Sequence, residues 1–138
     1  MEDIGQSYQA LLNKELDSLE KERKKQYDQV FSELANRGMV RADIHIEQAL
    51  ELEKNFMSRF IDYAISQFKR LMNSPDGNID ELEKTYRYGI NLFFGKSLQR
   101  MLGIVSNVRS SITDDYAQEA LEKVRFEAFQ KLEVAKAE

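Results

Sequence analysis

Apolar side chains recur at steps of three and four along almost the whole chain, and only two places interrupt them sharply. That spacing returns to one face of an α-helix, and no run of strict apolar/polar alternation long enough for a strand competes with it. The clearer break is Asn73-Ser74-Pro75-Asp76-Gly77-Asn78, which holds the chain's single proline among other turn formers. The other is Arg37-Gly38, where glycine suits the left-handed C′ position that ends a helix. A softer break lies at Ser110-Ser111-Ile112-Thr113. There Thr113 or Ser111 can cap a helix whose first turn, Asp114-Asp115, complements the helix dipole.

Four helices follow, spanning about residues 4–37, 41–72, 78–110 and 114–136. The first carries Tyr8, Leu11, Leu12, Leu16 and Leu19, then Tyr27, Val30, Phe31 and Leu34. Between the two groups, Glu20-Lys21-Glu22-Arg23-Lys24-Lys25 reads as a solvated mid-helix, because nothing there breaks the helix. About 30 residues make a helix roughly 45 Å long, long enough to outrun its own core. The second has the cleanest stripe, from Ile46, Ala49 and Leu50 through Phe56, Met57, Phe60 and Ile61 to Phe68. The third opens at Asn78, with Glu81 placed for a capping box. Its apolar arc from Ile90 to Val108 fills close to half the circumference, which makes it the helix expected to be most buried. The fourth carries Ala117, Leu121, Val124, Ala128, Leu132 and Ala135.

Short connections make consecutive helices antiparallel. The simplest closure is one all-α domain over residues 1–138, an up-down-up-down four-helix bundle. The alternative is an extended helical hairpin that completes a bundle or coiled coil by dimerisation. The helical pattern runs to Glu138 with no stop signal, which is compatible with a longer protein.

Composition narrows the chemistry by what it lacks. There is no cysteine, no tryptophan and one histidine among 138 residues. Thiolate zinc sites, iron–sulfur clusters and cysteine nucleophiles are therefore excluded within one chain, as are the paired Glu-x-x-His motifs of a di-iron bundle. No nucleophile elbow, P-loop or dinucleotide fingerprint occurs. Neither metal nor cofactor is expected. The net charge of −4 and a pI near 5.2 suit a cytoplasmic protein better than one living on nucleic acid or anionic lipid. No uncharged stretch approaches the ~20 residues of a membrane span.

Single residues and short clusters add little concentrated chemistry. His45 has no carboxylate at i±3 or i±4 and reads as a surface histidine near a helix end. The turn from Met72 to Glu83 places Ser74, Asp76, Asp80 and Glu83 at calcium-loop positions, but Met72 stands where the leading carboxylate belongs. Turn formation and capping explain it better. From Lys84 to Ile112 there are five basic residues and no acid. Lys84, Arg87 and Arg109 share one side, a candidate contact for nucleic acid or a partner, and Lys96 and Arg100 share another. A phosphate-binding face needs one stripe, so pairing with acids of neighbouring helices is the plainer account. Tyr86, Tyr88 and Phe93, near Gly89 and Gly95, form a candidate aromatic pocket; the glycines suit close helix approach.

The function expected of such a chain is non-enzymatic: a helical module for protein–protein interaction or assembly, a scaffold, adaptor or regulator, and a homo-oligomer. The alternative is a nucleic-acid-associated regulator using the third helix.

Overall fold

A computed structural model of the chain describes residues 3–108 and 112–138. It contains α1 (Ile4–Asn36), α2 (Asp43–Met72), α3 (Ile79–Asn107) and α4 (Asp114–Ala137), and no strand among the described residues. Three of the four helices start at the N-caps that the sequence chemistry supplies, while α2 starts at Ala42 with no side-chain cap. Asp3, Asn78 and Thr113 each accept a hydrogen bond from the backbone N–H three residues on, satisfying a donor the helix itself cannot. At the other end of α1, Gly38 takes φ +69°. Its N–H donates to the Ala35 carbonyl and that of Met39 to the Leu34 carbonyl, which is a Schellman closure. Gly77 has a different reason to be glycine. A Cβ there would lie 2.7 Å from the Met72 carbonyl oxygen and 2.9 Å from that of Leu71, so only a bare backbone can cross the end of α2.

The helices pack as an antiparallel four-helix bundle within one chain, and no second copy is needed to close it. Tyr8 meets Ala64 while Tyr27 meets His45, which runs α2 opposite to α1. Phe60 stacks on Phe93 and Phe68 meets Tyr86, which runs α3 opposite to α2. The bundle is a rhombus rather than a square. α2 and α3 each touch the other three helices, whereas α1 and α4 do not touch each other. Gly89 helps to explain this: it is buried, and a Cβ there would sit 3.2 Å from Leu12 and 3.5 Å from the Phe60 ring. Lacking that carbon, α3 settles against α1 and α2 together.

Two expectations are corrected by this packing. The most buried helix is α2, with eleven buried residues against eight in α3, because Leu98, Leu102 and Val105 of the α3 arc are only half-buried. Gly95 and Gly103 lie outside that arc and are exposed. A Cβ on either of those glycines would meet nothing within 4 Å, so Gly89 alone of the pair Gly89 and Gly95 serves close approach. No helix among the described residues is long and apolar enough to cross a membrane.

Candidate functional site

Two of the three basic residues marked out on the third helix can be placed, and they behave differently. Arg87 is engaged: it donates to Glu83 at 3.0 Å and Glu133 at 3.2 Å and lies over the Phe129 ring, 5.1 Å from its centroid. Lys84 is exposed. Arg109 lies outside the described residues. Glu83 gathers both Lys136 and Arg87, and the hydrogen bond from Lys136, then that from Arg87, holds its carboxyl below the usual range. The three aromatics do not converge. Tyr86 and Phe93, seven residues apart, both face the core and are fully buried, whereas Tyr88 is 57% exposed. The Tyr86 hydroxyl donates to the Ala128 carbonyl at 2.7 Å, which ties α3 to α4.

The chemistry instead gathers halfway up the bundle. Glu53, on α2, sits inside its helix's apolar stripe and is 3% exposed. Arg100 of α3 grips it with two bonds, Nε to Oε1 at 2.5 Å and Nη2 to Oε2 at 2.9 Å. The Ser97 hydroxyl adds a third at 3.1 Å. From α1, Arg23 approaches Glu53 at 3.5 Å, and Glu20 accepts from Arg100 Nη1 at 3.0 Å. Two carboxylates and two guanidiniums thus balance across three helices. Burial works against the Arg100 charge, but the hydrogen bond and field of Glu53, then those of Glu20, more than offset it and raise its pKa above the ordinary guanidinium value. Two buried atoms of the layer, Glu20 Oε1 and Arg23 Nε, have no hydrogen-bond partner.

This overturns the reading of residues 20–25 as solvated throughout. Lys21, Glu22, Lys24 and Lys25 are exposed, but Glu20 and Arg23, about 60° apart on the wheel, turn inward. A signal for the layer was present. Glu53 stands three residues after Leu50 and four before Met57, where the stripe calls for an apolar side chain. Ser97 likewise falls midway between Phe93 and Met101. One charged residue in a stripe draws little notice; three stripes interrupted at one level do.

Above the layer, His45 is also corrected. It is 4% exposed, not a surface residue. The turn closed at Gly38 brings the Val40 carbonyl 2.7 Å from Nδ1, and Tyr27 of α1 brings its hydroxyl 2.8 Å from Nε2. A carbonyl only accepts, so Nδ1 carries a proton and donates to Val40, and Nε2 shares a hydrogen bond with the tyrosine hydroxyl. The imidazole stacks on Tyr27 and meets Phe31 edge-on, at 5.9 and 5.8 Å between ring centres. Burial raises the Tyr27 pKa, against the opposing field of Arg23.

These groups line an open cleft of about 630 Å³ between the last third of α1, the start of α2 and the end of α3. Tyr27, Phe31, Val40, Ile104 and Val108 supply its apolar lining, and the charged layer contributes Arg23, Glu53 and Arg100. Lys24, Arg41 and Asp28 complete the charges and form no ion pair among the described residues. The cleft exists because α1 is thinly covered here: beyond Leu19, only Leu34 of that helix is buried. Among the described residues no cluster of three or more His, Asp or Glu could hold a metal.

Away from the cleft and among the described residues, α4 touches only α2 and α3 and carries three of the six exposed large apolar side chains, Tyr116, Phe126 and Val134. Comparison with family models, with curated proteins and with solved structures finds no match to this chain.

Proposed function

We propose that this chain is a non-enzymatic helical interaction module of the cytoplasm that pairs with a second copy through the outer face of α4. The observation that carries this is a heptad seam with no neighbour over it. Tyr116, Ala120, Lys123, Glu127, Gln130 and Val134 follow one another at steps of four and three, the spacing of a coiled-coil contact. All but the half-buried Ala120 are exposed. Laid antiparallel on itself about a twofold axis near residue 125, the seam sets Tyr116 against Val134 and Lys123 against Glu127, each twice. An isologous contact requires such self-complementarity. Polar residues at the centre of the seam make the pairing reversible and fix its register.

Sedimentation velocity across a concentration series tests the proposal. Wild type should dimerise with concentration, Lys123→Glu should weaken the dimer, and Lys123→Glu with Glu127→Lys should restore it. A chain that stays monomeric at millimolar concentration, or a double variant no better than the single one, would overturn it. No specific observation favours the nucleic-acid alternative, since Arg87 is already held by two carboxylates.

A further inference from the structure

The cleft beside His45 is separate from the α4 seam, and its chemistry points to a different occupant. We propose that it binds a small amphipathic carboxylate, with an aliphatic or aromatic body and one anionic head. Its volume of about 630 Å³ falls within the range typical of small-molecule sites, roughly 300–1,000 Å³. The body is matched by Tyr27, Val40, Ile104 and Phe31, the last still 41% exposed. An open aromatic surface of that kind gains most by being covered.

The head is matched by charge. In a chain of net charge −4, the cleft gathers Arg23, Lys24, Arg41 and Arg100 against only Asp28 and Glu53. Arg100 and Glu53 neutralise each other within the layer, which leaves Lys24 and Arg41 as uncommitted cations against Asp28. Arg41 offers the planar fork that takes a carboxylate by two bonds. Arg23, in the same wall, is already held at 3.5 Å by both Glu20 and Glu53, so the head falls to Arg41 and Lys24. The layer beneath holds three helices together, so the walls are set before a ligand arrives, and less ordering opposes binding.

Titration of the ¹⁵N-labelled protein with decanoate and with 4-phenylbutyrate, followed by backbone amide shifts, tests this. Each acid should bind in the millimolar range or tighter and move amides in 24–45 and 100–108. The neutral analogues, decanol and 4-phenylbutanol, should bind distinctly more weakly. The more strongly bound acid identifies the body as aliphatic or aromatic. Lys24→Glu with Arg41→Glu, both exposed positions, should weaken the acids roughly tenfold and leave the alcohols unchanged. Phe31→Ala should weaken all four. The inference is overturned if neither acid moves those amides, if the shifts fall elsewhere, or if acid and alcohol bind alike. It is equally overturned if the double charge reversal has no effect while circular dichroism shows the fold intact. The seam on α4 is untouched by these variants, so dimerisation serves as an independent readout.

Discussion

The two halves of the bundle bury polar atoms in opposite ways. Toward the α2–α3 turn, the buried polar atoms are the hydroxyls of Tyr8 and Tyr86, each donating to a helix carbonyl, Ala64 or Ala128. Around them Phe60, Phe68 and Phe93 pack without exposure above 1%. Toward the α1–α2 turn, four charged side chains and a serine meet across three helices, two of their polar atoms make no hydrogen bond, and an open cleft sits above them. A neutral hydroxyl needs one acceptor and leaves the rest of the ring to the core. A buried carboxylate or guanidinium needs several partners, and its removal from water is costly even when paired. The first half therefore fixes the bundle, while the second trades packing for polar specificity and an open site.

The largest test of this contrast is Arg100→Met, which strands Glu53 in the interior. A loss of about 3–5 kcal/mol is expected by chemical denaturation. Replacing Glu20, Arg23, Glu53 and Arg100 together by methionine should return stability close to or above that of the wild type. In the other half, Phe93→Ala should also cost about 3–5 kcal/mol, and no change of charge should restore it. If Arg100→Met were nearly neutral, the distinction between the halves would fail.

A smaller effect appears at high pH. Burial is the main reason the Tyr8 and Tyr86 phenols lie far above their ordinary pKa. A raised folded value means that their contribution is complete below the unfolded pKa, near ~10, and is lost as pH rises beyond it. Phenolate absorbance should therefore show these two tyrosines ionising only as helical circular dichroism collapses. Titration of all six tyrosines with the fold intact would contradict it.

Smaller again, Tyr86→Phe should cost about 0.5–1.5 kcal/mol and leave the cleft unchanged. The least effect is expected at acid pH from Glu83. Its lowered pKa makes its contribution present above the ordinary carboxylate range and lost as pH falls through the folded value. Lys136→Met, which removes the leading cause, should move the NMR titration of the Glu83 carboxyl upward.

How far the sequence could be read depended on how local the responsible interaction is. Gly38, Asn78 and Thr113 announce their caps because a cap is made by residues three or four apart. Tyr8, Leu12, Phe60 and Phe93 announce the core because burial follows helical period. His45 gives no such signal. Its partners are the Val40 carbonyl, placed by a turn, and Tyr27, eighteen residues away on another helix. Carboxylates at i±3 and i±4 say nothing about a ring that is satisfied across helices. Arg100 and Glu53 are likewise forty-seven residues apart, and only Glu53's place in its stripe marks it.

The sequence by itself determined four amphipathic helices, their breaks and caps, and the apolar faces that must meet, since each of these rests on neighbours within a turn or two. The tertiary structure alone decided that α2 and α3 share the centre, that Glu20, Arg23, Glu53 and Arg100 fall at one level, and that the end of α1 stands partly uncovered to form a cleft. Those outcomes depend on how helices settle against one another, and small features such as the missing Cβ of Gly89 set that register.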